Sequence, residues 1–294
     1  MLPDVFVANV VGNWGEAGRR WLDTLPRTVA AVAGDWELTV GEPFPLTFNW
    51  VAPVRRADGS AAVLKVGVPG SPHLATEAAA LTGFAGEGAV RLLARDRVRG
   101  ALLLERAEPG TTLRALVRDH DEQATAVLVD IIRRLHRPVV PGVEDIAGRS
   151  ADFAAHLERY PGDDPLPREL VVRAAGLFAE LCQDGGRVLL HGDLHHENVL
   201  AGTREPWLAI DPHGVAGPPG AELAPILCNP LTGDEPTLAL LPRRVEQLAD
   251  GLGLSLDLAR AWGFVLAVLS EVWDADSGPS TPGRALRVAL ALRS

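Results

Sequence analysis

Lysine is all but missing from this chain: of its 28 basic residues, Lys65 alone is a lysine and the others are arginines. A compact ammonium on a flexible stem and a planar guanidinium are not interchangeable where a small charge must enter a tight site, so the exception is a candidate functional residue. Cysteine is scarce too. Cys182 and Cys228 lie far apart in no CxxC spacing, which excludes a disulfide framework and a thiolate metal centre and leaves them as small core residues. No run approaches the roughly 18 to 20 apolar residues that span a bilayer. The opening stretch MLPDVFVANVVGNWGEAG has no basic residue before its short apolar run, which Asn9, Asn13 and Trp14 interrupt, so it does not read as a signal peptide. A cytoplasmic protein with no membrane partner is expected. Basic charge is in deficit: a net charge of -10 and an isoelectric point near 5.3 argue against a nucleic-acid partner. The same field attracts a cationic small molecule. What is present suffices for a sizeable core, since 47% of the 294 residues are hydrophobic, enough for one large domain or two lobes.

Apolar residues recur at three to four positions over residues 16–34 (Ala17, Trp21, Leu25, Val29, Val32), predicting leading helices broken near Pro26. Residues 37–104 then read as short strands, WELTV, FNWVAPVRR, AAVLKVGV, VRLLARD and ALLLER, with an Asp-Gly hairpin signal in RADGS. One helix, PHLATEAAALTGFAG, interrupts this mixed antiparallel sheet. After EPGTTL the pattern turns helical: DEQATAVLVDIIRRLHRP carries Ala124, Val127, Leu128, Ile131, Ile132 and Leu135 on one face, and further helices are predicted over 151–159, 167–183, 236–252 and 256–273. Between the second and third of these four stand three strand-like segments, RVLLHGDL, NVLAG and PWLAIDP. The fold class expected is α+β, with a sheet-rich N-lobe over 1–107, a mainly helical C-lobe over 108–294 and a hinge near 106–110.

The stretch VLLHGDLHHENVL, residues 188–200, concentrates the polar chemistry. In an extended strand His191, Asp193 and His195 alternate onto one side, so a three-ligand zinc site is conceivable, with His213 as a recruit. The spacing H-x-D-x-x-x-x-N also matches a kinase catalytic loop. On that reading Asp193 faces the acceptor hydroxyl, Asn198 gives an amide oxygen to Mg²⁺, and a hairpin from NVLAG to PWLAI returns Asp211 beside it as a second hard oxygen ligand. Upstream, Lys65 ends a strand and Glu77, on the next helix, is placed to hold it against nucleotide phosphates. Backbone groups of Glu105 to Ala107 are placed at the hinge to pair with a purine edge.

The phrases GEAGRRWLDTLP, GEPFPLTFNWVAPVRRADGSAAVLKVG, EAAAL, GAVRLLARD, ALLLERAEPGTTL, LLHGDLHHENVL and WLAIDPHGVAGPPGAELA run from about residue 15 to 225. Together they resemble the aminoglycoside phosphotransferase superfamily, and within it the streptomycin 6-kinase and hydroxyurea phosphotransferase branch. The resemblance implies a bilobal protein-kinase-like fold, ATP with Mg²⁺ as donor and a small-molecule hydroxyl as acceptor. It implies Lys65 on the donor phosphates, oriented by Glu77, Asp193 as catalytic aspartate, and Asn198 and Asp211 as metal ligands. His191 would brace the loop, and the segment of Thr47, Phe48 and Asn49 would cover the phosphates without a GxGxxG. The chain departs from the family where a lysine and a GDPxxD phrase are common: His213 and GPPGAE stand there, with Pro218 at the first aspartate and Glu222 near the second.

An aminoglycoside acceptor, streptomycin foremost, is the leading expectation. Glu271, Asp274 and Asp276 would either meet its cationic groups or form a solvated helix end. A kinase for hydroxyurea or a metabolic amino sugar is the near rival, and a nucleotide-binding pseudokinase the rival from another class. Taken singly, His195, His196 and Glu197 read as loop surface or structural partners, and Trp262 and Trp273 as core.

Overall fold

Two apolar faces on one sheet organise the N-terminal part of the computed structural model, which describes residues 2–183, 185–230, 237–277 and 283–293. The strands are β1 (Leu38–Val40), β2 (Trp50–Arg56), β3 (Ala61–Val66), β4 (Leu92–Asp96) and β5 (Ala101–Glu105), in the order β1-β2-β3-β5-β4 with every pair antiparallel. The Asp-Gly turn forms as expected: Gly59 takes φ 81°, and the Asp58 carboxylate accepts from the Ser60 amide at 2.8 Å. Side chains alternate across a strand. Ala62, Leu64, Val66, Ala101 and Leu103 therefore join one apolar cluster with Phe6, Trp21 and Leu25 of α1 (Asp4–Asp35). Leu102 and Leu104 face the other way, into the large core shared with α2 (Pro72–Phe84) and the C-lobe.

The break in α1 falls at Gly15 and not near Pro26. Gly15 has φ 53° and ψ -126°, open to glycine alone, whereas Pro26 sits inside continuous helix. The two halves fold back on each other. Phe6 meets Trp21 edge-on at 6.0 Å between ring centroids, and a Cβ on Gly18 would stand 2.6 Å from the Val10 carbonyl oxygen. Trp21, Leu25 and Val32, buried on both sides of Pro26, hold the second half straight against the sheet.

The C-terminal part is built on α3 (Arg114–Leu135), α4 (Ser150–Arg159), α5 (Arg168–Gln183), α6 (Leu223–Cys228), α7 (Thr237–Leu252), α8 (Leu256–Ser277) and α9 (Arg284–Leu292). α3 starts at Arg114, about two turns before the segment marked by its periodicity, which begins at Asp121, because a non-helical residue, His120, joins two helical pieces. Pro236, where the seventh helix was expected to begin, lies outside the described residues. Neither α6 nor α9 was predicted: α6 is too short to show a period, whereas α9 carries Ala285, Val288, Ala289 and Leu292 at a helical spacing that was there to be read. Arg244 of α7, fully buried, donates to both oxygens of Asp121 on α3 and at 2.7 Å to the Asn229 carbonyl after α6. Among the described residues no single helix is long and apolar enough to cross a membrane; α7 and α8 pass that test only as a pair bent by 118°.

Short strands position the polar loop. β6 (Glu144–Asp145), β10 (Val215–Gly217) and β7 (Val188–Leu190) form one small sheet, and β8 (Val199–Ala201) pairs with β9 (Trp207–Ala209) as a hairpin. Residues 191–198 are thus held at both ends. β9 also bonds backbone to backbone with Gly88 and Val90, joining the lobes.

Candidate active site

Lys65, on β3 opposite Val51 and Leu102, points its ammonium between two carboxylates. Nζ lies 2.7 Å from Glu77 Oε2 and 2.5 Å from Asp211 Oδ1. Lys65 and Glu77 are 5% and 3% exposed, so the pair is desolvated, whereas the Asp211 side chain is 57% exposed to the cleft. Burial opposes charge on all three. It would lower the Lys65 ammonium, but Glu77 and Asp211 raise it above the ordinary lysine value. Burial pushes Glu77 up to about 7, with Lys65 opposing and Asp211 adding repulsion. Asp211 ends below the ordinary carboxylate value, because Lys65 outweighs its desolvation. Two carboxylates share one cation, and Glu77 Oε1 is buried without a hydrogen-bond partner. The cluster has room for a second positive charge, and Asp211 is the member open to receive it.

The hairpin makes this meeting possible. Ile210 donates its amide to the Asn198 carbonyl, and the next residue, Asp211, takes φ 59°, a left-handed turn that aspartate tolerates. His191 is fully buried and neutral, burial driving it down to about 4. Its Nε2 donates to the Ile210 carbonyl at 2.9 Å and its Nδ1 accepts from the Asp193 amide at 3.3 Å. Both ring nitrogens are committed within the protein, so His191 is no metal ligand, and among the described residues no group of three or more His, Cys, Asp or Glu is arranged to hold a metal ion. The zinc reading has no support.

Asp193 is fixed by its neighbours. Asn198 Nδ2 donates to the Asp193 carbonyl at 2.9 Å and to Oδ2 at 3.2 Å, which leaves the Asn198 amide oxygen as the acceptor. Gly192 takes φ 82°, and a Cβ there would stand 3.0 Å from Val215. Glu222, buried in the turn ahead of α6, accepts the amides of His191 at 2.7 Å and Gly192 at 2.9 Å. It supports the loop from within the altered phrase, although burial raises its carboxyl to about 7. Two imidazoles to which the kinase reading gave no role flank Asp193: His195 Nε2 at 3.7 Å and His213 Nε2 at 3.8 Å from Oδ2. His195 also meets Glu197 at 2.9 Å through Nδ1; burial would lower it, but the two carboxylates raise it to about 9. The alternation H-x-D-x-H-x-E was the available signal. His196 turns inward and is fully buried.

Two cavities adjoin at His213. One of about 280 Å³ is lined by Asn49, Lys65, Glu77 and Asp211. The other, of about 390 Å³, holds Asp193, His195, Arg149 and Trp273. Glu105 and Ala107 line neither. The Glu105 side chain is gripped by Arg204 at 2.7 and 2.9 Å and by the Arg91 amide, and its own amide is spent on the Arg91 carbonyl. The acidic C-terminal segment also behaves differently from expectation. Glu271 is buried and caps α9, accepting from the Gly283 and Leu286 amides, while Asp276 meets His156 at 3.1 Å. Trp262 is core, but Trp273 is 41% exposed with Arg149 over its ring at 5.3 Å.

Residues 36–278 match the profile of the aminoglycoside/hydroxyurea antibiotic resistance kinases. A streptomycin 6-kinase of Streptomyces glaucescens is 36% identical over 99% of this chain and 97% of its own length. A hydroxyurea phosphotransferase of Kitasatospora aureofaciens is 38% identical over 95% of this chain and 82% of its own. Solved structures give the fold. A choline kinase from Streptococcus pneumoniae superposes with a TM-score of 0.63 at 13% identity, covering 92% of this chain and 99% of that one. An aminoglycoside phosphotransferase from Streptomyces rimosus, solved with ADP and streptomycin, gives 0.57 at 22% identity, covering 85% and 98%. The architecture is therefore the bilobal protein-kinase-like one, and with the profile matched across both lobes and relatives this similar along nearly the whole sequence, the chain belongs to the aminoglycoside/hydroxyurea antibiotic resistance kinase family.

Proposed function

We propose that this protein transfers the γ-phosphoryl group of ATP to a hydroxyl of an aminoglycoside, with streptomycin the favoured acceptor. The observation that carries the reading is the buried Lys65 ammonium held between Glu77 and Asp211 one cavity away from Asp193. Lys65 binds the donor phosphates, Glu77 keeps its ammonium aimed, and the segment at Asn49 covers them. The backbone from Glu105 to Ala107, apart from the committed Glu105 amide, takes the purine edge, at the boundary between an N-lobe of residues 1–107 and a C-lobe of 108–294. Asp193 accepts the proton of the attacking hydroxyl. The Asn198 amide oxygen and the open Asp211 carboxylate suit Mg²⁺, a hard cation that prefers oxygen ligands. When bound, it neutralises charge on the donor phosphates. The reaction belongs in the cytoplasm, where ATP is found.

A second reading, hydroxyurea as acceptor, draws on the lining of the larger cavity. Among the described residues that line it Asp193 is the one carboxylate, and Arg149 contributes a positive charge, which suits a small neutral acceptor. A pseudokinase is disfavoured because Lys65, Asp193, Asn198 and Asp211 are all present. The test is ADP release with MgATP against streptomycin, other aminoglycosides, hydroxyurea and amino sugars, with Asp193→Ala as the blank. Turnover that requires streptomycin and vanishes in the blank supports the first reading; turnover with hydroxyurea alone supports the second. Nucleotide binding with no turnover on any acceptor sinks both.

A further inference from the structure

The smaller cavity has a wall that no kinase motif accounts for. Beside Lys65, Asp211 and His213 it is lined by Asn13 and Trp14, which stand at the tip of the α1 hairpin immediately before the Gly15 break. This hairpin precedes the residues that match the family profile, which start at 36. Trp14 packs edge-on against Phe48 at 6.3 Å between centroids and an interplanar angle of 79°, and Asn9 Nδ2 donates to the Thr47 carbonyl at 3.3 Å. The hairpin tip and the segment 47–49 are thus one structure facing the Lys65 ammonium across the cavity.

The chemistry of that place makes an aromatic wall meaningful. In the proposed reaction the acceptor oxygen forms a bond to the γ-phosphorus as the bond from phosphorus to the β–γ bridging oxygen breaks. ADP leaves and the hydroxyl proton passes to Asp193. Water can take the acceptor's place, giving ADP and inorganic phosphate, unless it is kept from the phosphorus. Kinases that carry a glycine-rich loop cover the phosphates with backbone. Here Thr47, Phe48 and Asn49 line the cavity with no glycine among them, and Phe48 is 46% exposed, so a side chain is on hand where a glycine-rich loop would offer backbone.

We propose that the α1 hairpin tip, Asn13 and Trp14, together with Phe48 forms the water-excluding wall at the phosphoryl end of the nucleotide cavity, and that the Gly15 break exists to place it there. The inference rests on the kinase reading. Trp14 is a positioning and shielding residue, with no part in proton transfer. Gly15 offers a clean handle, because a Cβ there would meet nothing within 4 Å and yet the φ of 53° disfavours any L side chain.

The experiment counts ADP released per acceptor molecule phosphorylated, for the wild type, Trp14→Ala, Trp14→Phe and Gly15→Ala, with the acceptor that the wild type uses. This ratio belongs to the molecules that turn over, so loss of folded protein does not alter it. Trp14→Ala and Gly15→Ala should raise acceptor-independent hydrolysis relative to transfer by about tenfold, and Trp14→Phe should restore most of the coupling. An unchanged ratio in both Trp14→Ala and Gly15→Ala, beside a wild type that transfers normally, overturns the inference alone. A wild type that phosphorylates no acceptor overturns the kinase reading and this inference with it.

Discussion

Lys65 is the residue on which the chemistry turns, and its environment explains why a chain otherwise committed to arginine keeps it. An ammonium contacts Glu77 and Asp211 at 2.7 and 2.5 Å from one point, while a guanidinium spreads its donors over a rigid plane that this buried gap cannot admit. Lys65→Arg should therefore lower kcat by roughly 10² to 10³, a loss of transition-state charge stabilisation. Steady-state kinetics with MgATP will decide, and near-normal turnover would refute the argument from the single lysine. His195 gives the second prediction at this scale. Its folded value of about 9 lies above the ordinary 6.5, so the stability it contributes is complete below about 6.5 and is lost as pH rises through 9. His195→Gln should flatten that part of the stability profile, measured by thermal unfolding from pH 6 to 10. A wild-type-like fall in the variant would assign the effect elsewhere.

Secondary elements carry a different kind of dependence. α7 is tied to α3 through the buried Arg244 and Asp121, and to the end of α6 through Asn229. Removing one partner of a buried pair leaves an uncompensated charge, so Arg244→Met should destabilise the fold by about 3 to 5 kcal/mol. Denaturant unfolding will measure it, and replacing Asp121 by Leu in the same chain should recover part of the loss. The periodicity of α3 was legible, since Leu128, Ile131, Ile132 and Leu135 must share a face whatever they pack against. The Gly15 break was not: Pro26 is the stronger local breaker, and only the packing of Phe6 on Trp21 and Val10 on Gly18 reveals where the chain turns.

For the whole molecule the issue is how two lobes hold one geometry. Arg204, in the turn between β8 and β9, reaches from the C-lobe to the Glu105 carboxylate and to the carbonyls of Gly86 and Ala89. It fixes the end of β5, where we place the purine edge. Arg204→Met should raise the KM for ATP several-fold with a smaller effect on kcat, because the donors it removes lie away from Asp193. A selective fall in kcat would place Arg204 in the chemistry instead.

Much of this protein was decided within the sequence alone. The alternation that gives β3 and β5 two apolar faces and the H-x-D-x-x-x-x-N spacing are local patterns, and local patterns follow from backbone geometry. Lys65 and Glu77 could be paired on paper because each sits at a fixed point of a strand or a helix, and Asn49 and Asp211 because each lies within two residues of the end of a strand. Tertiary structure decided what depends on three-dimensional neighbours. Glu271 caps a helix when it had been read as either facing an acceptor or lying in a solvated helix end, Glu222 braces the Asp193 loop, and His195 and His213 gather around Asp193. Trp14 reaches a cavity lined by Asp211, nearly two hundred positions further along the chain. Burial and charge act through space, so they become readable only once the chain has folded back on itself.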